Sequence, residues 1–130
     1  MKFAILGTAR IARRLAPGIH GSDHGELVGI ASRKLSSAKA FADEFSVPKT
    51  YEGYQAALDD PEIDAVYLPL PPSLRLEWTT RAAAAGKHVL CEKPLACSAQ
   101  EARQMIAACR ENNVVLLAVS YTHLTLPTKA

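Results

Sequence analysis

The chain has 130 residues, with Leu, Ile, Val and Phe totalling 31 and Ala a further 22, which suits one domain of ordinary size and argues against a disordered chain. Lys and Arg number 15 against 13 Asp and Glu, a net charge of +2 that is far too small to point to nucleic acid. The longest strongly apolar run, Val114–Val119, falls short of the ~20 residues of a membrane span, and Met1–Gly7 has neither the apolar length nor the cleavage site of a signal peptide.

Short apolar runs alternate with longer helical patterns. Lys2–Leu6 reads as a buried strand, followed by a helix over Arg10–His20. Glu26–Ala31 is a second strand, and Leu35–Phe45 a helix with Phe41 and Phe45 one turn apart. Lys49–Tyr51 reads as a short edge strand and Tyr54–Leu58 as a small helix. Asp64–Leu68 is a strand; Ser73 is expected to cap a helix running to Ala85 and stopped by Gly86. His88–Cys91 is a strand, Ser98 caps a helix to about Asn112, and Val114–Val119 is a sixth strand. The unbroken apolarity of Val114-Val115-Leu116-Leu117 suggests burial on both faces. Strands of this length separated by such helices predict an α/β fold, a Rossmann-type doubly wound parallel sheet in the order 3-2-1-4-5-6. The abundant Ala suggests helices lying close against that sheet. No repeat, low-complexity stretch or linker interrupts residues 1–118.

Cys91, Cys97 and Cys109 make an odd count without a CxxC pair, as expected of buried or half-buried thiols in a reducing, cytoplasmic compartment. His20 and His24 are separated by Gly21 and flanked by Gly25, so no helix aligns them, and no metal site is expected.

Three segments carry chemistry. Gly7-Thr8-Ala9-Arg10-Ile11-Ala12 follows the first strand and opens a helix, filling the slot of the dinucleotide fingerprint G-x-G-x-x-G/A. Gly7 permits the tight turn, Ala12 permits close helix packing, and amides from Ala9 onward would face a pyrophosphate. Ala9 stands where the second Gly normally lets the backbone approach, and the same residues could serve a plain βα turn. At the end of the second strand, Ala31-Ser32-Arg33-Lys34 offers a hydroxyl and two cations. A ribose 2′-hydroxyl would call for a carboxylate there, whereas Arg suits a 2′-phosphate; the alternative is a solvated turn. The third segment, Gly86-Lys87-His88-Val89-Leu90-Cys91-Glu92-Lys93-Pro94-Leu95-Ala96, places Glu92 and Lys93 at a carboxyl strand end, where open α/β sheets bind ligands.

Taken with Tyr51-Glu52-Gly53-Tyr54, Asp60-Pro61-Glu62-Ile63-Asp64-Ala65-Val66-Tyr67, Leu70-Pro71-Pro72-Ser73-Leu74 and Glu77-Trp78-Thr79, these segments make residues 1–118 resemble the N-terminal domain of the glucose-fructose oxidoreductase / inositol dehydrogenase / MocA (Gfo/Idh/MocA) family. The resemblance implies a Rossmann domain binding NADP, preferred here, or NAD, with a C-terminal α+β domain supplying most of the substrate pocket and the general base. It implies that Lys93 lies beside the nicotinamide and the reacting carbon as the catalytic cation. Glu92 is then expected near the nicotinamide ribose, and Leu68, Pro69, Leu70 and Pro71 along the cofactor, together with Gly7, Thr8, Ala9, Arg10, Ile11, Ser32 and Arg33. Where the family often reads P-N-x-x-H, this chain has Pro71-Pro72-Ser73-Leu74-Arg75, so the Asn and His contacts are not carried over.

The implied activity is hydride transfer between the nicotinamide and a sugar, polyol or diol hydroxyl, in a parent built of identical subunits and engaging neither nucleic acid nor membrane. A dinucleotide-binding sensor or scaffold is the alternative, but it has no need of Glu92-Lys93-Pro94; a reductase of amino-acid biosynthesis would lack that string. Tyr67 and Trp78 are expected to pack rather than touch ligand. Residues 119–130 are expected to be a non-native tail: Val119–Thr128 resembles the translation of a transposase sequencing adapter. That resemblance implies a truncated fragment, inactive alone.

Overall fold

Each short apolar run of the sequence becomes a strand and each Ala-rich stretch a helix in a computed structural model that describes residues 1–20, 23, 25–92 and 95–119. In chain order these are β1 (Lys2–Leu6), α1 (Arg10–His20), β2 (Glu26–Ser32), α2 (Leu35–Phe45), β3 (Lys49–Glu52), α3 (Tyr54–Leu58), β4 (Ala65–Leu68), α4 (Pro72–Ala84), β5 (His88–Glu92), α5 (Ala99–Glu111) and β6 (Leu116–Val119). The strands form a parallel sheet in the order β3-β2-β1-β4-β5-β6. This is the doubly wound Rossmann arrangement expected from the sequence, with its switch point between β1 and β4.

Residues on opposite faces of β1, β2, β4 and β5 feed two cores. On one face Ile5, Ile30 and Tyr67 meet Ala12, Ala16 and Ile19 of α1 and Phe41 of α2. On the other, Leu6, Val66 and Cys91 meet Leu58 of α3, Ala82 and Ala83 of α4 and Met105 of α5. Ala12, Ala16, Ala38, Ala82 and Ala83 are fully buried. The small side chains thus let helix backbones lie close to the strands, which is what the Ala content suggested.

Three local expectations need correction. The helix expected to be capped by Ser73 begins at Pro72, with Pro71 preceding it and no side-chain cap; proline fits there because the first helical N–H needs no intrahelical partner. Ser98 does cap α5, its Oγ accepting from the Glu101 N–H at 3.1 Å. Second, β6 starts at Leu116, and the apolar run is not covered on both faces: Val115, just before the strand, is 61% and Leu117 37% exposed. β6 is the edge strand, and Leu117 pairs with Leu90 on the α1/α2 face, whereas those helices pack over β2 and β3. Third, Cys91 and Cys109 are buried but Cys97 is exposed.

Charged groups collect at the amino-terminal end of the strands. Asp64 Oδ2 accepts the Lys2 N–H at 2.8 Å, and Lys2 Nζ lies 3.0 Å from Glu62. Asp60 accepts from the Tyr51 hydroxyl at 2.6 Å and from Lys49 Nζ at 3.0 Å. Lys87, only 5% exposed, donates to the carbonyls of Asp60 and Ile63 at 2.8 and 2.7 Å. The Tyr51 bond, then the Glu62 N–H and Lys49, hold the Asp60 carboxyl down at about 2. Among the described residues no helix is long and apolar enough to cross a membrane, and no cluster of His, Cys, Asp and Glu could hold a metal ion.

Candidate functional site

The carboxyl ends of β1, β2, β4 and β5 bring most of the expected site residues to one edge. β1 runs into Gly7, whose φ of +115° is a conformation that L side chains rarely adopt. A Cβ there would lie 3.3 Å from Leu70 Cδ2, 3.9 Å from Pro69 Cγ and 3.8 Å from the Tyr54 hydroxyl. The turn after β1 therefore lies against the loop after β4, across the switch point. Thr8 and Ile11 are half-buried, Ala9 and Arg10 exposed and Ala12 buried, so the helix packs through Ala12 while its exposed first turn carries no acidic side chain. The N–H groups of a helix start and the positive end of its dipole suit an anion.

At the end of β2, Ser32 is nearly buried and its Oγ accepts the Lys34 N–H at 3.4 Å, while Arg33 and Lys34 are exposed. The Ser32 carbonyl accepts the Gly53 N–H at 2.7 Å, binding the β2 exit to the β3 exit. The register also reveals a residue that sequence reading missed. Glu52 pairs with Ser32 across the two strands and is exposed. Residues 31–34 contain no acid, but a carboxylate does stand at this edge, brought there by strand pairing.

Leu68 at the end of β4 and Pro69 and Leu70 beyond it are buried, and Pro71 is exposed. β5 ends in Cys91 and Glu92, both buried. The Cys91 thiol is pushed up to about 11 by burial, so it remains protonated at neutral pH and is no nucleophile. Glu92 is 6% exposed, and its Oε2 accepts the Tyr67 hydroxyl at 2.6 Å. Burial first, then that bond, raises the Tyr67 pKa, keeping the phenol protonated as the donor. Tyr67 is buried as expected and in addition holds Glu92. Trp78 packs edge-on against Tyr54 at 5.1 Å, with the Arg81 guanidinium 4.9 Å from its ring centre, a packing role. Arg75, the departure from the family's pattern, lies in α4, is buried and donates to the carbonyls of Leu70 and Glu92 at 2.7 and 2.8 Å. Lys93, Pro94 and the expected tail from residue 120 lie outside the described residues.

The family profile described as an oxidoreductase family with an NAD-binding Rossmann fold, Gfo/Idh/MocA, matches residues 1–121. An uncharacterized oxidoreductase of Rhizobium meliloti is 47% identical over 112 residues, covering 85% of this chain and 33% of that protein. D-xylose 1-dehydrogenase (NADP(+)) 2 of Haloferax volcanii is 45% identical over 118 residues, 90% of this chain and 36% of the relative. A 3-ketoreductase from Actinomadura kijaniata, solved with NADP and TDP-benzene, superposes with a TM-score of 0.89 at 39% identity, covering 98% of this chain and 39% of the other. The chain thus spans about a third of the length of the curated relatives it matches.

Proposed function

The chain belongs to the Gfo/Idh/MocA oxidoreductase family, and from that premise we propose that residues 1–118 are the cofactor-binding domain of an NADP-preferring oxidoreductase that interconverts a sugar, polyol or diol hydroxyl and its carbonyl. The observation that carries this reading is the meeting of the Gly7 turn with the Pro69–Leu70 loop at the β1/β4 switch point. A glycine turn, a helix start without acidic residues and an exposed Arg33 at the next strand end suit a dinucleotide diphosphate and a 2′-phosphate. The Haloferax relative is an NADP(+) dehydrogenase and the Actinomadura 3-ketoreductase was solved with NADP, which supports the same choice of cofactor.

The bound nicotinamide supplies the hydride chemistry. The amides of Ala9, Arg10 and Ile11 bind the diphosphate, with Gly7 and Thr8 shaping the turn around it. Ser32 and Arg33 take the 2′-phosphate, which a guanidinium grips bidentately. Leu68, Pro69, Leu70 and Pro71 form an apolar wall that excludes water from the cofactor, and Glu92 borders the nicotinamide ribose. Lys93 stabilises the substrate oxygen as its charge changes, the role of a preorganised electrostatic donor. The substrate pocket and general base belong to the remaining two-thirds of the longer protein, which assembles from identical subunits.

Fluorescence titration of the chain with NADPH and NADH tests the reading. NADPH should bind about ten- to a hundredfold more tightly, the value of a charge-assisted pair of about 1.5–3 kcal/mol. Arg33→Ala should close that gap, and Glu52→Gln should widen it by removing a like charge from beside the phosphate. Equal affinities in the parent chain would sink the NADP reading.

A further inference from the structure

Arg75 is 6% exposed, and a guanidinium so far from water needs partners for its planar fork of donors. Nε donates to the Leu70 carbonyl at 2.7 Å and Nη1 to the Glu92 carbonyl at 2.8 Å. Those acceptors close two different strands: Leu70 lies two residues past β4, and Glu92 is the last residue of β5. One side chain thus ties together the two exits that border the proposed nicotinamide half of the site. Glu92 is held a second time, because its carboxylate accepts the Tyr67 hydroxyl at 2.6 Å. Main chain and side chain of the same residue are therefore anchored independently.

We infer that Arg75 is a positioning residue, clamping the ends of β4 and β5 so that the apolar wall at Leu70 and the exit of the chain from Glu92 keep one relative placement. This rests on the cofactor reading given above. The Glu92 carbonyl belongs to a rigid peptide plane shared with the next residue's nitrogen, so fixing that carbonyl restricts the direction in which the chain leaves β5. The fork matters as much as the charge. Two acceptors 22 residues apart are reached at once by the two nitrogens of one plane, whereas a lysine brings a point charge on a flexible stem. An imidazole is shorter and cannot present the same fork.

The test uses the 130-residue chain and two probes. NADPH spans both halves of the site, and 2′,5′-ADP occupies only the adenosine half. Arg75→Lys should raise the Kd for NADPH about tenfold, the scale of one lost charge-assisted hydrogen bond, and leave the Kd for 2′,5′-ADP within about twofold. Tyr67→Phe should give a smaller loss with the same selectivity. Equal weakening of both probes, or of neither, overturns the inference. Hydrogen exchange of the ligand-free proteins supplies an independent readout. Faster exchange in Arg75→Lys confined to the ends of β4 and β5 is expected, and uniform acceleration across the sheet overturns positioning. If the parent chain binds neither probe while exchange stays confined, the cofactor reading fails and the clamp stands.

Discussion

The two ends of the sheet handle polar groups in opposite ways. At the amino end Lys2, Lys49 and Lys87 meet Asp60, Glu62, Asp64 and main-chain carbonyls, so charge is neutralised locally. At the carboxyl end the first turn of α1 has no acid, Arg33 is exposed, and the buried polar groups Tyr67, Arg75 and Glu92 bond one another's side chains and backbone. The first end is internally complete. The second leaves the exposed residues Ala9, Arg10 and Arg33 near buried polar groups that are already bonded. Binding capacity is therefore concentrated where the chain has declined to neutralise itself, since electrostatic groups already paired offer little to a ligand.

That contrast predicts mutations whose effects separate by edge. The largest belongs to Lys93→Met in the full-length protein, where turnover should fall at least about a hundredfold, the scale of one lost electrostatic stabiliser, while thermal stability barely moves. Steady-state kinetics check it, and activity within a few-fold of the parent would make Lys93 a surface cation. At the other end Lys87→Met should cost about 2–3 kcal/mol of stability by leaving one buried and one part-buried carbonyl without their charged donor, with NADPH affinity unchanged. Denaturant unfolding measures the first and titration the second; a loss of affinity without a loss of stability would break the comparison.

Smaller still is the effect of pH. The Asp60 carboxyl is held at about 2 by Tyr51, the Glu62 N–H and Lys49, below its ordinary value. A depressed folded-state pKa contributes stability that is fully present above the ordinary carboxylate range and is lost as pH falls toward about 2. Asp60→Asn should therefore be less stable than the parent near neutral pH and show a flatter decline between about pH 4 and pH 2. Parallel acid limbs for the two proteins would remove Asp60 from the amino-end network.

Local patterns carried the element order and, through the handedness of crossovers, the strand order. Short apolar runs, Gly86 after α4 and Ser98 before α5 are signals within a few residues of the structure they specify. What stayed hidden depends on strand pairing. Arg75 reads in isolation as a loop cation; its burial follows from β4 and β5 lying side by side. Tyr67 and Glu92 are 25 residues apart and meet because Tyr67 stands in register with Leu90. Glu52 reaches Ser32 in the same way. The exposure of Val115 and Leu117 was missed for the converse reason: apolarity alone does not distinguish a central strand from an edge strand whose second face the described helices leave open.

The strand order also sets a timetable for folding. β1 pairs with β2 and with β4, and in the second pairing Ile5 meets Tyr67 across more than sixty residues of chain. Closing so long a loop is slow relative to local contacts, because its entropy is lost before the new contacts are made. As the chain leaves the ribosome, β1 through β3 can associate early, while the switch point between β1 and β4 does not exist until β4 has emerged and found β1. Any dinucleotide that binds there acts after that step, as a latch on the pairing that spans the most chain rather than as a template for the first.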